Sequence, residues 1–237
     1  MKTGDSNKIL KSFLEPFNSE IQVGVDEAGR GSIFGPVFVG AVIWNNDIDD
    51  PKMKYIKDSK KLTKKKRNEM RKFIEENALA WSVSSCDNTV IDDINILNAT
   101  YKAMHKVLTD IYINNIKFDR ALIDGNSFNT LSINEKVIEH KCVINGDNTY
   151  IQIAAASILA KTHHDEYIDN LCIENPELKN YGLSTNYGYG TKQHINAIKE
   201  AGYTKYHRKS FKIKSLQKEQ KEQKEQKEQK EQKEQKE

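Results

Sequence analysis

The sequence predicts an α/β protein, a mixed β-sheet flanked by helices. Three observations carry this expectation. Short runs rich in β-branched and aromatic residues recur along the chain and read as strands. Segments with apolar residues at helical spacing stand between them. The strand signals come first as a meander and then alternate with helices, the order that a mixed sheet covered by helices requires.

Taken in order, Gln22–Val25 reads as a short first strand and Pro36–Trp44 (PVFVGAVIW) as a second. Thr63 is placed to cap a basic helix running to about Asn77, with Met70, Phe73 and Ile74 on its apolar side. Ala80–Ser85 reads as a strand and Asp92–Leu108 as a helix. Arg120–Ile123 is a short buried strand ending at Asp124, and Lys141–Ile144 is another. Ile151, Ala154, Ala155, Ile158, Leu159 and Thr162 follow helical spacing, which predicts a helix packing one face against the sheet.

The chain has 237 residues, of which Gln217–Glu237 are seven copies of Gln-Lys-Glu. That repeat holds no apolar residue, and its seven Lys balance its seven Glu, so it belongs to no core. The remaining 216 residues carry 30 basic and 27 acidic side chains and are about 41% apolar, an ordinary value for a globular domain. The expected division is an N-terminal extension over 1–19, one domain over 20–216 and a low-complexity tail over 217–237. The apolar run Val37–Trp44 is far short of the roughly 20 residues that span a bilayer. The opening MKTGDSNKILKSFLEPF has no apolar core of the kind a secretory signal needs. Cys86, Cys142 and Cys172 lie far apart with no CxxC pair, which argues against a disulfide framework or a structural zinc site. A monomeric cytoplasmic protein, free of membrane, is the expectation.

Charge is unevenly spread. Between Lys52 and Lys72 there are eleven basic residues against Asp58 and Glu69 alone. Lys205, Arg208, Lys209, Lys212 and Lys214 form a second block, interleaved with Tyr206 and Phe211. One such block is as well explained by a solvated helix face; two of them suit a surface that tracks phosphates.

Four carboxylates stand out by position. Asp26 and Glu27 end the first strand and open a glycine-rich turn, Asp124 ends a later strand, and Asp147 precedes the small-residue helix. Carboxylates at the ends of neighbouring strands converge on one sheet edge, and an oxygen-only ligand set suits Mg²⁺ or Mn²⁺. Each alone has a plainer explanation, since Asp before Gly is a common turn and Asp147 could cap a helix. Gly29, Gly31 and Gly35 fall one residue off a dinucleotide fingerprint, but a strand rather than a helix follows them, which argues against a dinucleotide site. Glycines flanking Arg30 instead let the backbone approach a ligand closely, with a guanidinium beside it.

VGVDEAGRG (from Val23), DSKKLT (from Asp58), LIDGN (from Leu122), IAAASILAK (from Ile153), GYGTKQH (from Gly188) and HRKSF (from His207) occur in one order. That order and spacing resembles ribonuclease HII, over about Ile21 to Phe211. The resemblance implies a ribonuclease H-like fold with a small helical C-terminal part. It implies an endonuclease that cuts on the 5′ side of a ribonucleotide in RNA–DNA hybrids or in duplex DNA, by two-metal catalysis with Mg²⁺ or Mn²⁺. The acids of that site would be Asp26, Glu27, Asp124 and Asp147. Gly29, Arg30 and Gly31 would contact the ribose 2′-hydroxyl, and Tyr189 would pack on the sugar at the RNA–DNA junction. Lys60 and Lys61 would grip backbone phosphates. Two departures from the family pattern are Ser32, where proline is usual, and His163, where an arginine often precedes the aspartate of THHDEY. His163, His164, His194 and His207 are expected to be exposed or to touch phosphate. The Gly-Arg-Gly turn with Tyr189 favours this family over ribonuclease HIII, and the carboxylates disfavour a catalytically silent nucleic-acid-binding module, because they repel a polyanion unless a cation intervenes.

Overall fold

The computed structural model describes residues 10–114, 116–213 and 216. The Gln-Lys-Glu tail and Lys214 of the second basic block lie outside the described residues.

Strands β1 (Gln22–Ala28), β2 (Val37–Ile43) and β3 (Ala80–Cys86) form an antiparallel meander, and β4 (Arg120–Asp124) and β7 (Glu139–Val143) extend it in parallel. The sheet order is β3-β2-β1-β4-β7, the mixed sheet that the sequence predicts. Between β4 and β7, β5 (Ser132–Ile133) and β6 (Lys136–Val137) make a separate two-stranded ribbon without a counterpart in the sequence reading.

Alternation along the strands sends Val23, Val25, Val37, Val39 and Ala41 to one face. There they pack with Ile91, Met104, Leu108 and Ile111 of α2 (Asn88–Asn114). This helix is longer than expected and breaks at Asn95, whose φ is 66°. The Asn95 Oδ1 accepts the N–H groups of Leu97 and Asn98, so a side-chain cap restarts the helix after the kink. The other face is covered by α1 (Lys64–Asn77) and α3 (Ile151–Glu174). Thr63 caps α1 through the Lys66 N–H, and Met70, Phe73 and Ile74 are buried as their spacing predicts.

The one-face expectation for α3 fails, because every residue from Ile151 to Ala160 is buried. The sheet lies on one side of this helix and α1 on another. Gly24 and Gly40 make that close approach possible. A Cβ on Gly24 would fall 2.3 Å from the Gln152 carbonyl carbon, and one on Gly40 2.5 Å from the Ala156 oxygen.

Beyond α3 a smaller helical part, with α4 (Leu183–Asn186) and α5 (Lys192–Ala201), gathers around Phe34, Ile168, Leu171, Leu183 and Ile198. Residues 10–19, expected as an extension, touch the domain: Lys11 pairs with Tyr150, and Gln22 binds the backbone of Leu14 and Phe17. Cys86, Cys142 and Cys172 are all free thiols. Among the described residues no helix is long and apolar enough to cross a membrane.

Candidate active site

The parallel register Val25↔Ile123 sets Asp26 beside Asp124 at the ends of adjacent strands. Asp124 is the last residue of β4, as expected, whereas Asp26 and Glu27 fall inside β1, which extends three residues past the expected end. Asp147 sits in the short turn Gly146–Asn148. It does not cap α3, whose capping position is Tyr150 and has no side-chain cap. The turn is tied to β4 by the Gly146 N–H, which donates to Asp124 Oδ1 at 2.7 Å. Asp26 and Asp147 are buried, at 7% and 6% exposure, and the Glu27 side chain is mostly covered.

All four carboxyls are held above their ordinary acidity range, in each case chiefly by burial. Asp26 is raised furthest, with Asp124 and then Glu27 as the next causes. Asp147 feels Asp58 and Asp124; the Gly146 N–H opposes the shift at Asp124, and Arg30, 3.2 Å from Glu27, opposes it there. The four acids therefore form one group of mutually repelling charges in a poorly solvated place. A divalent cation fits such a donor set, since it relieves both the repulsion and the desolvation. Among the described residues no three His, Cys, Asp or Glu side chains close around one point at ligand distance, so the group is open rather than a preformed cage.

Asp26, Glu27, Gly29, Arg30, Gly31, Lys60, Lys161 and Tyr189 line a cleft of about 410 Å³, together with Ser59 and Ser157. Asp124 and Asp147 stand beside it and couple to Asp26 by charge. A cleft of about 480 Å³ between α1 and α3 is a structural seam: Arg67 pairs with Asp165 there, and Arg71 with Glu75 and Glu166.

The glycine turn divides its labour. Gly29 has φ +78°, and a Cβ there would lie 2.6 Å from the His164 ring, so the fold itself demands glycine. Gly31 faces the cleft, where an added Cβ would meet only Tyr189 Cε1 at 3.8 Å. Tyr189 is 38% exposed, and the Gly29 backbone lies against its hydroxyl. Lys161 bonds Asp165 at 2.7 Å and stands 5.6 Å from the centre of the Tyr189 ring.

Of the two lysines, Lys60 faces the acids and interacts with Asp58, Asp26, Asp147 and Asp124, while Lys61 donates to Asn148 and lies 3.8 Å from Asp58. The second basic block is smaller than its sequence suggests, because Arg208 is 0% exposed and turned inward. The expectation of exposed histidines fails. His164, His194 and His207 are fully buried, and His163 packs on Trp81 and Glu75, away from the cleft. The histidine directly before Asp165, and in contact with the turn, is His164.

The other two form a chain whose tautomers are fixed by their partners. Thr204 N–H donates to His207 Nδ1 at 2.8 Å, so the proton of His207 is on Nε2, 3.1 Å from His194 Nε2. His194 must then carry its proton on Nδ1, which donates to the Tyr189 carbonyl at 3.1 Å. Ser59 and Ser157, with Oγ atoms 2.9 Å apart, and Lys161 were not singled out by sequence. A serine within the otherwise apolar IAAASILA run was the available signal.

The family model for ribonuclease HII matches residues 23–214, nearly the whole body of the chain. The chain belongs to the ribonuclease HII family. A curated ribonuclease HII of Pelagibacter ubique is 46% identical over 192 residues, covering 81% of this chain and 96% of its own length. That of Cytophaga hutchinsonii is 45% identical over 203 residues, covering 85% and 95%. In structure the chain is similar to ribonuclease HII in the Archaeoglobus fulgidus complex with PCNA, with a TM-score of 0.64 at 22% identity over 82% of this chain and 96% of that one. The likeness confirms the fold class. The protein is accordingly a ribonuclease H of type 2, a divalent-metal-dependent hydrolase acting on RNA in RNA–DNA hybrids.

Proposed function

We propose that this enzyme hydrolyses the phosphodiester on the 5′ side of a ribonucleotide, in RNA–DNA hybrids or in duplex DNA with embedded ribonucleotides. Water adds to phosphorus, the bond to the 3′-oxygen of the preceding nucleotide breaks, and the products end in 3′-hydroxyl and 5′-phosphate. The observation that carries this reading is the set of four mutually repelling carboxyls beside the glycine turn, two of them buried and two partly covered.

Asp26, Glu27, Asp124 and Asp147 would hold two divalent ions, Mg²⁺ or Mn²⁺, because the donors are all hard oxygens. Ions bound there would supply the charge that makes a water nucleophilic and offsets the charge developing on the leaving oxygen. Arg30 neutralises Glu27, and Gly31, with no side chain, leaves space in the cleft for a sugar. Tyr189 offers a half-exposed ring at the cleft wall for the deoxyribose next to the ribonucleotide. A 2′-hydroxyl both donates and accepts, so backbone groups at the turn suffice to distinguish it. Lys61 and the exposed lysines of α1 would meet phosphates along the duplex, while Lys60 would act at the acids. The catalytic unit would be residues 20–216, acting as a monomer.

The test is cleavage of duplex DNA carrying one ribonucleotide, run beside a continuous RNA–DNA hybrid and an all-DNA duplex, with Mg²⁺, with Mn²⁺ and with chelator. The reading expects metal-dependent cleavage of the first two and none of the third. Cleavage on the 3′ side of the ribonucleotide, or cleavage unaffected by chelator, would overturn it.

A further inference from the structure

Arg208 is the largest fully buried side chain among the described residues, at 0% exposure, and none of the described carboxylates pairs with it. Its guanidinium donates instead to three main-chain carbonyls: Nε to Gly35 at 2.8 Å, Nη1 to Arg30 at 3.0 Å and Nη2 to Gly29 at 2.8 Å. Burial pushes its pKa down to about 10, which leaves it charged near neutrality. A buried cation that meets three carbonyl dipoles and the Phe211 ring at 5.1 Å, with Asp92 acting on it only through space, is an expensive arrangement, and an apolar side chain would fill the same space more cheaply. What the guanidinium adds is geometry, because a rigid planar fork fixes three acceptors at once.

The segment bearing Arg208 is itself fastened. Asp92 of α2 accepts the Lys209 and Ser210 N–H groups and the Ser210 hydroxyl, and Asn88 donates to the Lys205 and His207 carbonyls. The Arg208 N–H donates to the Ile33 carbonyl, on the far side of the glycine turn. Arg208 thus connects α2 to the rear of the turn, and the neighbouring His207 reaches the other cleft wall through His194 and the Tyr189 carbonyl.

We infer that Arg208 is a positioning residue for ribonucleotide recognition, holding the Gly29–Arg30–Gly31 turn against the cleft through its three carbonyl contacts. This rests on the proposed assignment of that turn to the ribose. Arg208 touches no substrate, and two of the three carbonyls it holds, those of Gly29 and Arg30, belong to the turn. Its loss should therefore erode discrimination between ribose and deoxyribose rather than general affinity for DNA.

The experiment measures binding in the full-length Asp124→Asn background with Mg²⁺, so that cleavage does not interfere. The probes are two duplexes of one sequence, one all-DNA and one carrying a single ribonucleotide, and the readout is the ratio of their dissociation constants. Arg208→Lys keeps the charge but replaces the planar fork with a single ammonium. It should shrink the ratio about tenfold, the equivalent of about 1.4 kcal/mol, with all-DNA affinity unchanged. A merely structural role would weaken both affinities together or neither, and either result overturns the inference. If Arg208→Lys does not fold, Asp92→Ala, which loosens the segment without touching the guanidinium, should lower the same ratio by a smaller factor. An unchanged ratio there overturns the inference as well. If the parent shows no discrimination while Arg208 is intact, the assignment of the turn to the ribose fails, and the inference fails with it.

Discussion

Asp124→Asn offers a test in which stability and activity should move in opposite directions. The side chain keeps its shape, and its remaining oxygen still accepts the Gly146 N–H that ties β4 to the Asp147 turn. What it loses is a negative charge raised in energy by burial and repelled by Asp58, and one that in turn raises Asp26 and Asp147. In chelator the variant should therefore be more stable than the wild type, by about 0.5–2 kcal/mol, the usual size of a single stabilising substitution. At about 2–4 °C per kcal/mol for a domain of this size, that rise is resolvable in a melting curve. Adding metal should reverse the order. The wild type at a hundred times its dissociation constant gains about 2.7 kcal/mol, and the variant, with a ligand charge missing, should gain much less. Cleavage should fall at least about 100-fold, the equivalent of about 2.7 kcal/mol of lost charge stabilisation. The assays are thermal melts in chelator and over a Mg²⁺ titration, beside cleavage of a single-ribonucleotide duplex. A variant less stable than the wild type in chelator, or one that cleaves within a few-fold of it, would refute the view that Asp124 stores repulsion for a cation.

Four further outcomes follow from the geometry. Tyr189→Ala should slow cleavage at an isolated ribonucleotide much more than cleavage of a continuous hybrid, because only the former places a deoxyribose on the ring; equal slowing of both substrates would move junction sensing elsewhere. Lys60→Ala should slow cleavage yet lower the Mg²⁺ concentration needed for half-maximal rate, since it removes a cation already facing the acids. Lys61→Ala should lower the slope of log affinity against log salt by about 0.9 on B-form DNA; an unchanged slope assigns Lys61 to the Asn148 contact alone. The histidine chain predicts an acid-sensitive fold. His207 is held at about 4, first by burial and then by His194, against 6.5 when free, so the unfolded chain takes up the proton first. Its contribution is intact above about 6.5 and is lost as pH falls toward 4. A melting temperature that stays level over that window, or falls equally in a folded His207→Gln variant, would show that acid destabilisation arises elsewhere.

Much of the fold was legible because local and tertiary preferences agree. The strands β1 to β4 and the cap and apolar side of α1 follow from residue type and spacing. Where the sequence reading fell short, the deciding contact was distant. α3 looked amphipathic, yet the smallness of Gly24 and Gly40 draws it onto the sheet and its outer side is then covered as well. The break at Asn95 depends on one side chain capping the turn ahead of it, which periodicity does not register. The β5–β6 ribbon has too few residues to show an alternation at all.

The site divides along the same line. Acids at strand ends announce themselves, because strand direction and register alone bring Asp26 next to Asp124. The framework behind the cleft does not. In sequence, Arg208 is one more member of a basic block, and charge counting assigns it to the solvent. Its burial is decided by Gly29, Arg30 and Gly35, more than 170 residues away, whose carbonyls replace the water it gives up. His194 and His207 are similar, since each looks like a surface histidine until the other supplies its partner. Reactive groups in this fold are thus set by local rules, whereas the groups that aim them are set by closure of the C-terminal part against the glycine turn. A substitution in Thr204–Arg208, remote in sequence from every acid, should on this view alter what the enzyme recognises while leaving the acids' capacity to bind metal in place.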